Sequence, residues 1–140
     1  MTKRPGRAVV VRRREARTLL AKAEEFLGAA RRASEVGAHD ATLLASVHAA
    51  IMANDAICVA LLGLRSSDAD HARAVDLLES AAQLEDGVAL RARQLRALLE
   101  AKSPVAYEAR RATSAEGRDG LERAARFVDW AELVLARARL

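Results

Sequence analysis

Between Ala41 and Leu64 the chain is apolar on nearly every face, interrupted chiefly by His48, Asn54 and Asp55. A helix with no polar side needs cover from every direction, so this stretch predicts a central helix with others packed around it. The same three polar residues argue against a membrane span. At 140 residues the chain fits one domain with a real core and no need of disulfides or metals. Hydrophobic residues make up 51% but aromatics only 3%, so that core is built from Ala, Leu and Val. Such small side chains favour closely packed helices, and strands would call for more β-branched and aromatic residues. The expected fold class is all-α, a compact bundle of about five mostly antiparallel helices.

The helix boundaries follow from periodicity and punctuation. Leu19, Leu20, Ala23, Phe26, Leu27 and Ala30 return every three or four residues and predict a first helix over 13–36. Gly37 ends it, and Asp40 is expected to cap the second helix, 41–64. A third is expected over 68–84 and a fourth over 88–101, stopped by Ser103-Pro104 because the residue before proline avoids the α region. Thr113 and Glu116 have the spacing of a capping box and open a fifth helix ending near Arg137. Residues 13–140 thus form the bundle, and residues 1–12 are expected to be a flexible basic arm.

Charge is concentrated in that head. Residues 1–17 carry +6 of a total of +4, which leaves the other residues at −2. Arginines of the arm, Arg12, Arg13 and Arg14 among them, are candidates for salt-sensitive contacts to nucleic-acid phosphates; the other reading is a solvated terminus. The single cysteine, Cys58, lies in the apolar helix and reads as a small buried hydrophobe. No metal site and no cofactor is expected. Ala8-Val-Val-Val11 is too short and too closely flanked by arginines for a signal peptide, so a cytoplasmic location is expected.

The stretch with the most chemistry is Arg65-Ser-Ser-Asp-Ala-Asp-His71, at the join of the second and third helices. A guanidinium holds a phosphate with a fork of donors, and a histidine passes protons near neutral pH. The pair suffices in outline to cleave RNA without a metal. The plainer reading is capping: Arg65 complements the end of helix 2, and Ser67 with Asp70 opens helix 3. Asn54 and Asp55 are candidates to support this pocket, or else buried polar groups satisfied by neighbouring helices. His48 and Asp55 stand two turns apart, about 10 Å along the axis, so they form no dyad. Tyr107 can lend a hydroxyl to a cleft or anchor the end of the bundle. Trp130 suits the core or an interface, and Arg91, Arg93 and Arg96 a solvated face.

Leu20-Ala-Lys-Ala-Glu-Glu-Phe-Leu-Gly-Ala-Ala-Arg31, then Asn54-Asp-Ala, Ala60-Leu-Leu-Gly-Leu-Arg65, His71, Ala74-Val-Asp-Leu-Leu78, Lys102-Ser-Pro-Val-Ala-Tyr107 and Phe127-Val-Asp-Trp-Ala131 follow one another in an order that resembles the HEPN superfamily. These are helical domains named for higher eukaryotes and prokaryotes nucleotide-binding. The resemblance covers roughly residues 17–138. It implies a metal-independent endoribonuclease with an Arg-x4-6-His motif, in which Arg65 and His71 are catalytic and Ser66 takes the place where active members often carry Asn, Asp or His. It further implies a toxin or effector of a toxin–antitoxin or defence system, a nucleotidyltransferase-like antitoxin as partner, and a homodimer that faces two motifs into one cleft. A catalytically inactive HEPN module that binds a nucleotidyltransferase or nucleic acid is the alternative, and a purely structural helical oligomer the third reading.

Overall fold

The computed structural model describes residues 7–67 and 71–140. Five α-helices account for most of the described residues: α1 (Ala16–Glu35), α2 (His39–Leu62), α3 (His71–Ala81), α4 (Val88–Tyr107) and α5 (Ser114–Arg137). Two short strands, β1 (Ala8–Val10) and β2 (Leu64–Ser66), complete the set. The all-α bundle read from the sequence is therefore the fold, with a small ribbon added.

The apolar helix is the central one. α2 touches every other helix, and Leu43, Val47, Ala50, Ala53, Ile57 and Val59 among its residues are fully enclosed. Alanines at 49, 50, 53, 56 and 60 let α1 and α5 approach closely on either side. α1 contributes the buried stripe Ala16, Leu20, Ala23, Leu27 and Ala30, spaced by three or four residues as helical periodicity requires. α5 contributes Ala124, Phe127, Val128, Ala131, Val134 and Leu135. Near its start a Cβ at Gly120 would stand 2.7 Å from the Leu43 side chain, so glycine there admits α2. α2 is long and apolar enough to cross a membrane, yet most of it is enclosed within this single chain. The cover that so apolar a helix needs is thus supplied largely by the other helices of the same chain.

Several local expectations change. Thr113 and Glu116 do form the capping box of α5, each side chain accepting from the other's backbone amide. Asp40, however, lies inside the first turn of α2 rather than capping it. Its carboxylate accepts from the Ala112 amide (2.6 Å) and the Arg111 guanidinium (2.5 Å), which pins the approach to α5 against the start of α2. The Ala112 amide first, and Arg111 with it, hold this carboxyl below the usual carboxylate range. Pro104 sits within α4 instead of ending it. Only one helical bond is lost there, and the helix stops within a turn, so the disruption stays local. Arg96 is not simply solvated: it ion-pairs with Asp76 and Glu79 and ties α4 to α3. Trp130 is in the core, its Nε1 donating to the Asp86 carbonyl at 3.2 Å.

The arm is built into the fold from residue 7 onward. β1 runs antiparallel to β2 with Ala8 opposite Ser66, Val9 opposite Arg65 and Val10 opposite Leu64. A single 3₁₀ turn, Arg13–Glu15, joins the ribbon to α1. Lys3 and Arg4 lie outside the described residues, as do Asp68 and Asp70 with the proposed cap of α3. A three-residue strand carries no periodicity that a sequence window can detect, which is why the ribbon was not anticipated. The turn that feeds β2 is Gly63, in the left-handed region at φ 67°. Gly63→Ala should lower stability by about 1 kcal/mol, since a Cβ disfavours this conformation. Urea unfolding with an unchanged slope and a lower midpoint is the expected readout; an unmoved midpoint would contradict it.

Candidate functional site

Arg65 occupies the middle of the ribbon. Gly63 closes α2 by donating its amide to the Val59 carbonyl (2.9 Å), and the Gly63 carbonyl accepts from the Val11 amide (2.9 Å). On the far side of β2 the Ser67 amide donates to the Arg7 carbonyl at 3.0 Å. In an antiparallel ladder hydrogen-bonded pairs alternate, so the bonded pairs 63–11 and 67–7 make Val9 and Arg65 a bonded pair between them. The Arg65 backbone is thus fixed from both sides. Among the described residues its guanidinium forms no hydrogen bond or ion pair within the 4.0 Å reach of one, although it lies close enough to Asp55 to stabilise that carboxylate.

The Arg65 side chain borders a hollow of about 420 Å³. Its neighbours from the ribbon side are Val9 and Val11. The opposite wall is one stripe of the first helix and its lead-in turn: Glu15, Thr18, Leu19 and Lys22. Arg65 and Lys22 give this hollow two cations, while Glu15 is engaged by Arg12 at 3.1 Å.

His71 is the first residue of α3 and is half-buried. α3 packs on both β2 and α2, so the two halves of the motif lie on contacting elements. The angle of α3 is set by a buried amide. Asn54 donates its Nδ2 to the Ala74 carbonyl at 3.2 Å, one turn into α3. The Cys58 thiol, one turn further along α2, faces the Asn54 Oδ1 at 4.0 Å. Asn54 is 2% exposed, and no buried side-chain nitrogen or oxygen among the described residues lacks a partner. Cys58 is buried as expected, and burial pushes its thiol up to about 12.

The structure gathers some of the expected site residues and separates others. Asn54, Asp55, Arg65, Ser66 and His71 all lie on α2, β2 and the start of α3. Tyr107 does not join them: it is at the exposed end of α4, with Lys102 5.7 Å from its ring centre, and α4 makes no contact with β2 among the described residues. His48 is exposed and meets Phe26 edge-on. The three arginines of the arm have different fates. Arg13 donates its Nε to the Ala60 carbonyl at 2.7 Å and so caps the end of α2. Arg12 pairs with Glu15, and Arg14 is exposed without a side-chain partner among the described residues. Arg17 is structural too, bound to Glu132 (2.7 and 2.9 Å) and to the Leu140 carbonyl. Val9, Thr18 and Lys22 escaped the sequence reading; the spacing 15, 18, 19, 22 marks one helical face, but only the ribbon turns that face into a wall.

A family model for the HEPN domain matches residues 16–134, most of the chain. The chain belongs to the HEPN domain family. No curated protein matches it. The match spans α1 to α4, β2, the whole Arg65–His71 stretch and all but the last three residues of α5 in this HEPN domain, so motif and fold fall within the same unit.

Asp55 gives the HEPN site a titratable neighbour. Burial raises its carboxyl from 3.8 to about 6, and Arg65 counters only part of that rise. The folded state therefore keeps a proton that the unfolded chain releases first, so this group weakens the fold as pH rises from about 4 to 6. Above about pH 6 the penalty levels off, on the order of 3 kcal/mol. Asp55→Asn should thus be more stable than wild type at pH 7 and equal to it at pH 4. Denaturant unfolding at the two pH values checks this, and equal stability at pH 7 would show that Asp55 is not strained by burial.

Proposed function

We propose that this HEPN domain is a metal-independent endoribonuclease, acting as the toxin or effector of a toxin–antitoxin or defence pair in the cytoplasm. The observation that carries the reading is Arg65: a guanidinium whose backbone is locked in a ribbon and whose donors no carboxylate among the described residues occupies. A phosphate at this position meets a fixed cation, with the positive N-terminal end of α3 close by. His71, at that helix end, is the residue for proton transfer.

In the reaction, His71 takes the proton from a ribose 2′-hydroxyl, and the freed oxygen attacks the adjacent phosphorus. Arg65 stabilises the charge that gathers on the non-bridging oxygens. The P–O5′ bond breaks as the P–O2′ bond forms, and the leaving oxygen takes a proton. The products are a 2′,3′-cyclic phosphate and a free 5′-hydroxyl. The motif holds one histidine per chain and so one proton-transfer group, and a homodimer with a shared cleft supplies the second, which protonates the leaving oxygen. Val10 and Leu62, apolar and exposed beside the ribbon, support such a contact. Exposed Arg12 and Arg14 extend the phosphate-binding surface without reading sequence. Asn54 and Asp55 act from behind the pair, the former by fixing α3 and the latter by its charge. A nucleotidyltransferase-like antitoxin is the proposed partner that silences the site.

Purified protein incubated with total RNA in EDTA tests this. Cleavage is expected, and Arg65→Ala and His71→Ala should each slow it by at least about 100-fold. RNA left intact at large protein excess would refute the nuclease. It would leave the inactive binding module, the reading that Ser66 after Arg65 favours.

A further inference from the structure

The hollow beside Arg65 has a lining that a bare phosphate would not use. Arg65 and exposed Lys22 stand at it as cations, yet Val9, Val11 and Leu19 present an apolar surface and Glu15 a carboxylate. Glu15, Thr18, Leu19 and Lys22 fall at i, i+3, i+4 and i+7, so they form one stripe about 10 Å long from the lead-in turn along α1. Val9 is opposite Arg65 in the ribbon, which puts both side chains on the same face, and Val11 shares it by strand alternation. A volume of about 420 Å³ holds a small molecule of mixed character.

We infer that this hollow is a base-reading subsite, which takes the nucleotide on the 5′ side of the cut and prefers bases with an exocyclic amine. The inference rests on the nuclease reading, in that Arg65 is shared between the two. The 3′-phosphate of that nucleotide lies on Arg65, with Lys22 as a second cation. Its base lies flat over Val9, Val11 and Leu19, which are apolar and supply a surface that a planar ring can cover. Glu15 Oε1 accepts from Arg12, and the other carboxylate oxygen accepts from the amine. Uracil offers no amine and flanks its one edge N–H with two carbonyl oxygens, which the Glu15 carboxylate repels. Cytosine, adenine and guanine each offer an amine.

Calorimetric titration of the full chain with the four ribonucleoside 3′-monophosphates and with inorganic phosphate tests this. The cytidine, adenosine and guanosine compounds should bind about tenfold more tightly than the uridine compound or phosphate, the scale of one hydrogen bond to a charged group. Lys22→Ala, a change at an exposed helical position, should weaken the nucleotides by about tenfold, and Glu15→Gln should erase the discrimination against uridine. Uridine or phosphate binding as tightly as the rest, or Lys22→Ala binding as wild type, overturns the subsite. Nucleotide discrimination in a protein that leaves RNA uncut refutes the nuclease alone, and cleavage without discrimination refutes the subsite alone.

Discussion

The last turn of α2 leaves carbonyls with no helical partner, and the way they are satisfied organises everything around Arg65. Val59 is served by the left-handed Gly63, Ala60 by the Arg13 side chain, and Gly63 itself by the amide of Val11. Two of these three donors come from the basic head of the chain. Capping the central helix and laying down the β1–β2 ribbon are therefore one event. A strand as short as β2 has no stability of its own. It persists because one end continues a buried helix and its edge is paired with β1.

The second support acts on the other half of the motif. Asn54 is buried in the most apolar helix of the chain, where an unpaired amide would cost roughly 1–3 kcal/mol. Its bond to the Ala74 carbonyl removes that cost only if α3 lies in one place. A polar residue in the core thus fixes a geometry that alanine and leucine packing alone would leave free to slide. Asp55, the next residue, places a carboxylate near Arg65 without the geometry of a full ion pair. Together the two residues join the electrostatics of the site to the packing of α2.

Much of this was legible in the sequence because it depends on periodicity. The unbroken apolar run announced the central helix, the 3.6-residue stripes announced α1 and α5, and Thr113 with Glu116 announced the cap. The order of Asn54-Asp55, Arg65 and His71 pointed to the family. What stayed hidden depends on contacts between distant parts of the chain. Arg13 reads as a phosphate contact or solvated charge and Arg96 as part of a solvated face, yet their partners lie 47 and 17 to 20 residues away. Asp40 has a capping residue's chemistry, and only the arrival of Ala112 shows that it serves another helix. Lys22 lies on an ordinary polar face until the ribbon closes a hollow over it.

The central claim is that the head of the chain holds Arg65 in place through the Val9–Arg65 pair. Val9→Pro removes the amide that donates to the Arg65 carbonyl while leaving the helical core untouched. Amide hydrogen exchange, followed residue by residue in wild type and variant, measures the consequence. The account predicts that the amides of Arg65 and Ser67 lose protection while those of α2 and α5 keep theirs. Unchanged protection at Arg65 and Ser67 would contradict it, and would mean that β2 stands without its partner strand.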